Sequence, residues 1–153
     1  MRSAKSRAPR LIALLIDLPD PARAALAERW RISDGAHRRG WGAASGAGST
    51  RELYAAMVDP ERLAARVAGL EPACRDVLRG LASEPAGLDD LLGRVALGSE
   101  TVERCLSALG GLGLVVRVEP NRRARLAVAP FGSALLAVPR EVAAALRLVG
   151  VTR

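Results

Sequence analysis

The residues able to do chemistry in this sequence are one histidine (His37), two cysteines (Cys74 and Cys105), an adjacent carboxylate pair (Asp89 and Asp90) and 22 arginines. A zinc site or a histidine-centred general base needs further Cys, His, Asp or Glu at ligand or hydrogen-bond spacing. None accompanies His37, which lies in a glycine-rich stretch and reads as a solvated side chain. Each cysteine falls on the apolar stripe of an expected helix. The pair reads as buried free thiols in a reducing cytoplasm, and a disulfide requires the two helices to pack with those positions opposed. Asp89 and Asp90 belong to an exposed helix face. The glycines raise the question of a phosphate loop, but G-x-x-x-x-G-K-[ST] is absent and Lys5 is the sole lysine. Gly40-Trp41-Gly42 is followed by Ala43, Ala44 and Ser45, which breaks G-x-G-x-x-G. Without those parts the usual route to nucleotide hydrolysis is closed. The expectation is a protein that is not an enzyme and needs no cofactor and no metal.

Arginine remains, and its planar fork suits phosphate. Net charge is +7 over 153 residues. Residues 1–10 hold four basic and no acidic side chains, and residues 117–153 hold seven basic and two acidic. The stretch between holds twelve basic and fourteen acidic. Positive charge gathered at the two ends is the footprint of a nucleic-acid binder. The competing reading is an Arg-rich surface with no such role.

The elements that must position these arginines are mostly helical. Half of the residues are hydrophobic and only 3% are aromatic, so the core is Leu, Val and Ala. Residues 1–10 read as a basic tail. The run LIALLIDL is too short to span a bilayer and carries Asp17; Pro-Asp-Pro follows it in place of a small-residue cleavage site. Residues 11–70 read as a helical subdomain with a Gly-rich connector at 33–48. Asp20-Pro21, Ser49-Thr50-Arg51-Glu52 and Asp59-Pro60 are its helix starts.

Residues 71–138 carry a more specific order. Cys74, Val77, Leu78 and Leu81 mark a helix, Leu88 to Val95 a short second one, and Val102, Cys105, Leu106, Leu109 and Leu112 a third. Ser99 is the expected cap of that third helix and Gly113 its left-handed terminator. The period then changes to two. LVVRVE and ARLAVA, joined by Pro120-Asn121-Arg122-Arg123, form an amphipathic hairpin with a basic tip. Arg117 and Arg125 are expected on its outward face. Helix, helix, turn, helix, hairpin is the order of a winged helix-turn-helix. The fold class expected is therefore mainly α with a small β-hairpin: a winged helix-turn-helix plus an N-terminal helical subdomain. Residues 139–153 add a C-terminal helix with Val142, Leu146 and Val149 on one face.

Fold alone does not decide function. The third helix enters the major groove in the usual docking. Here it offers Arg104 and Ser107 as base contacts, with Glu100 and Glu103 beside them. The hairpin offers Arg117, Arg122, Arg123 and Arg125 to phosphates or the minor groove. Weak, mostly non-specific binding of double-stranded DNA led by the wing is the expected function. The alternative is a protein-interaction adaptor without DNA binding, using the acidic third helix and its small residues Ala108, Gly110 and Gly111. No membrane association is expected, and the oligomeric state is open.

The segments LPDPARAALAERW (18–30) and LYAAMVDPERL (53–63), the winged-helix order, and then VPREVAAALR (138–147) resemble the N-terminal region of bacterial helicase-associated proteins related to the XPB-type helicases. The distinctive part is Pro139-Arg140-Glu141-Val142 with Ala145-Leu146-Arg147. In that family a larger helicase-associated region follows, whereas this sequence stops at Arg153 and encodes no motor. The resemblance implies a DNA-associated accessory module, with a helicase or other protein partner, and supplies no catalytic residues.

Overall fold

The computed structural model describes residues 8–30, 46–118, 124–127, 131 and 134–150. Along the chain these form α1 (Leu11–Asp17), α2 (Asp20–Arg29), α3 (Gly46–Val58), α4 (Pro60–Ala68), α5 (Pro72–Ser83), α6 (Leu88–Arg94), α7 (Ser99–Gly111), β1 (Val116–Val118), β2 (Ala124–Leu126), β3 (Leu135–Ala137) and α8 (Arg140–Leu148). The architecture is mainly helical with a small three-stranded antiparallel sheet.

Proline at the first turn starts α2, α4 and α5, where its missing N–H costs no helical hydrogen bond. Asp59 caps α4 as its spacing predicts, accepting from the Glu61 N–H at 3.2 Å. Three other starts differ from the expectation. Pro19 is the cap of α2, and Asp20 sits inside the helix, where it accepts from Arg23. Gly98 caps α7, because the Val102 N–H bonds to its carbonyl at 3.0 Å; Ser99 is the first helical residue and makes no capping bond. Helix α3 begins at Gly46, so Ser49 and Glu52 stand within it rather than across its start. The glycines there cost helix propensity, which burial of Leu53 and Met57 on the same helix offsets. The end of α7 matches its sequence signature. Gly113 has φ 75°, and the Leu114 and Gly113 N–H groups bond to the carbonyls of Leu109 and Gly110 at 3.0 Å each. This is the double bond pattern of a left-handed helix terminator.

One buried cluster runs from Leu11 and Leu15 in α1, through Leu53, Leu78 and Leu106, to Leu146 in α8. Helix α8 packs on α4, α3, α5 and α1. It is tied to the chain before α1 by the Arg140 N–H to Pro9 carbonyl bond (2.9 Å) and by the Glu141 carboxylate, which accepts from the Leu11 N–H at 2.7 Å. The first and last helices are therefore packed together.

The sheet order is β2-β1-β3. The expected pairing of β1 with β2 is present, with Val116 opposite Leu126 and Arg117 opposite Arg125. Strand β3 is an addition to the sequence reading. Ala134 to Val138 is an unbroken apolar run with no alternation, because Leu136, Ala137 and Val138 are all buried. Leu136 also exchanges backbone hydrogen bonds with Ala86, between α5 and α6, at 2.8 and 2.9 Å. Strand β1 is thus central, and β2 is packed by α1 and, just beyond it, by α7. Gly110 lies against the Ala127 backbone so closely that no Cβ fits. The expected two-stranded hairpin is thus extended by β3 into a three-stranded sheet.

Helices α5 and α7 pack together with Cys74 and Cys105 opposed, as free thiols hydrogen-bonded to each other. Burial, then the hydrogen bond and charge of Cys74, push the Cys105 thiol up to about 12. Burial, followed by the nearby charge of Glu141, likewise raises Tyr54. Both groups hold their protons more tightly folded than unfolded. Their contribution is therefore intact below the unfolded values of 9.0 and 10.0 and is lost as pH climbs toward the folded ones. The urea midpoint is expected to hold from pH 7 to about 8.5 and to fall between about pH 9 and 11, with Cys105→Ala falling less steeply. A flat midpoint across that window would contradict the buried, protonated thiol pair.

Candidate nucleic-acid interface

Of the twelve arginines between residues 11 and 116, four donate to carbonyls at helix ends, and the physical reason is common to them. The last carbonyls of a helix lack partners, and a guanidinium can satisfy several at once. Arg23 is buried and donates to the Leu15 and Leu18 carbonyls at the end of α1, both at 2.9 Å, and to Asp20. Arg75 reaches Leu70 at 2.8 Å beyond the end of α4. Arg94 donates to Gly80 (3.0 Å) and Glu84 (2.7 Å) at the end of α5. Arg29 meets Gly111 at 3.3 Å at the end of α7. Arg140 donates to Ala8 at 2.9 Å. For these five the competing sequence reading, arginine without a nucleic-acid role, has a concrete form: they hold main-chain carbonyls.

The residues expected to contact DNA are placed unevenly. Arg104 is exposed on α7 and donates to Glu71 at 2.8 Å. That hydrogen bond, then the carboxylate's charge, raises the Arg104 pKa. Both side chains of this pair are more than half exposed (56% and 57%), so solvent and salt screen the attraction between them. Ser107 is exposed one turn further on. Around them α6 and α7 present Asp89, Asp90, Glu100 and Glu103, all exposed.

Arg117 lies on the central strand, half-buried with its Nε shielded from solvent. Arg125 on the edge strand is exposed. The two stand opposite each other in the β1–β2 register, so their side chains leave the same face of the sheet. Arg122 and Arg123 lie outside the described residues, as do His37, Trp41, the basic tail up to Arg7 and the connector from residue 31 to 45.

The small-residue side of α7 is already occupied. Gly110 is buried against Ala127, and the Gly111 surface is covered by the Arg29 guanidinium. Of the trio assigned to a partner helix, Ala108 alone is exposed.

A second basic locus escaped the sequence reading. Trp30 donates its indole N–H to the Leu112 carbonyl at 2.9 Å beyond the end of α7. The Arg66 guanidinium lies over its ring, 5.4 Å from the centroid. Arg62 stands one turn before Arg66 on α4 and lines the same groove. The four-residue spacing was visible in the sequence, but the tryptophan that groups with it is more than thirty residues away.

Among the described residues no cluster of His, Cys, Asp and Glu could hold a metal, and no helix is long and apolar enough to cross a membrane. Compared with known proteins, the chain matches no family model, no curated protein and no solved structure.

Proposed function

We propose that residues 71–138 are a winged-helix module that associates with duplex DNA weakly, without catalysis and largely without sequence preference. The observation that carries the reading is the cross-strand Arg117–Arg125 pair on a sheet that follows directly after α7. Directly opposed residues of an antiparallel pair project from the same face of the sheet, so both arginines add positive charge to that face. The element order supports the winged-helix assignment: α5, the Ala86 bridge to β3, α6, α7 and then the antiparallel strands. Contact is led by the hairpin and its turn. Helix α7 contributes little, since Arg104 is tied to Glu71 and acidic side chains surround it. An accessory role beside a helicase or another protein is part of the proposal and stems from the family resemblance alone.

Salt dependence tests it. Duplex affinity measured from about 50 to 300 mM salt is expected to give a log–log slope of about −4, and Arg122→Ala with Arg123→Ala is expected to flatten it by about 1 to 2 units. Binding that ignores salt, or that the double variant leaves unchanged, sinks the wing-led reading.

The exposed acidic row Asp89, Asp90, Glu100 and Glu103 favours a second reading, an adaptor whose α6–α7 face meets a basic protein. Under it, the same titration shows no salt-dependent duplex binding in the wild type.

A further inference from the structure

Trp30, Arg62, Ala65 and Arg66 line a groove of about 240 Å³ at the end of α2. Its described lining holds two guanidiniums and no carboxylate. These arginines are unlike those that hold main-chain carbonyls. Among the described residues, neither donates to a helix-end carbonyl and neither meets an acid. Arginines at i and i+4 lie on one side of a helix, about 5–6 Å apart at Cβ, and repel each other. An anion between them removes that repulsion. Stacking on Trp30 holds the Arg66 guanidinium in place, so little side-chain freedom is left to lose when a ligand arrives. Trp30 is fixed in turn by its bond to Leu112, beside the terminus of α7.

We infer that this groove takes a phosphate of a nucleic-acid backbone and is a contact additional to the hairpin; the inference rests on the duplex-binding reading above. Two arginines hold an isolated phosphate weakly. As one contact among several along a polyanion they add through counterion release.

The test uses the full chain with Trp41→Phe, which leaves Trp30 as its sole tryptophan. A mixed-sequence duplex of about 20 base pairs is expected to change Trp30 emission saturably at about 50 mM salt, with the midpoint of binding itself. Arg62→Gln with Arg66→Gln is expected to abolish that change, weaken binding about tenfold and flatten the salt slope by about 1 to 2 units, with helical circular dichroism unaltered. If the Arg122/Arg123 variant weakens binding while the Arg62/Arg66 variant does not, the groove inference falls and the hairpin reading stands. Duplex binding that leaves Trp30 emission flat also overturns it. An emission change with about 10 mM inorganic phosphate but none with duplex overturns the nucleic acid as occupant. A wild type that binds no duplex overturns both readings.

Discussion

Gly110→Ala is expected to cost about 2–4 kcal/mol, a drop in Tm of about 5–10 °C for a chain of this size. Alanine is the better helix former by about 1 kcal/mol, so propensity alone predicts the opposite sign. Packing decides the outcome. A Cβ at this position would overlap the Ala127 carbonyl oxygen and come within 2.8 Å of its carbon. Both are backbone atoms, so no side chain can swing away. Relief requires α7 to move off the strand region and disturb the Leu106–Leu109 packing beneath it. Gly93→Ala on α6 is the internal control, since its Cβ would meet nothing within 4 Å. That variant is expected to gain about 0.5–1 kcal/mol. Urea unfolding of the two variants in parallel checks the argument. Equal and small effects at both positions would falsify the close approach of α7 to Ala127.

The contrast shows which parts of this fold were legible in sequence. Helices α5, α7 and α8 announced themselves because each buries one stripe, and a 3.6-residue period survives in the string. Gly113 was legible because a left-handed terminator is a local requirement. The closeness of Gly110 to Ala127 was not, since nothing near residue 110 in the sequence says that a strand region passes there. Strand β3 was missed for a related reason: buried on both faces, it has no polar alternation to reveal it. The partial burial of Arg117 was not legible either, since the sequence shows only one strand beside β1 and the structure supplies two.

Charge was legible in amount and obscure in use. A guanidinium that clamps a helix end and one that waits for phosphate are identical in sequence. Their difference lies in the carbonyls or carboxylates that tertiary packing brings to them. Arg23, Arg29, Arg75, Arg94 and Arg140 keep their charge but spend N–H donors on main-chain carbonyls, so fewer donors remain for a phosphate than 22 arginines imply. The modest affinity proposed follows from that smaller number of contacts.

Trp30→Ala is expected to destabilise the whole chain by about 3–5 kcal/mol. Trp30 is 3% exposed, so truncation removes a large buried ring and leaves a cavity between α2, α4 and the end of α7. It also removes the Leu112 carbonyl's hydrogen bond and frees Arg66. Trp30→Phe keeps most of the packing and loses the indole donor, for about 1–2 kcal/mol. The form of the transition matters as much as its midpoint. Trp30 joins the helices before residue 70 to the second half of the chain, and the buried cluster is continuous across that boundary. Unfolding followed by far-ultraviolet circular dichroism and by thiol exposure of Cys74 and Cys105 is therefore expected to show one coincident transition, shifted as a unit by the substitution. If instead Trp30→Ala split the curve, with helix loss preceding thiol exposure, residues 11–70 would be a separately folding unit and the groove at Trp30 a junction that opens on its own.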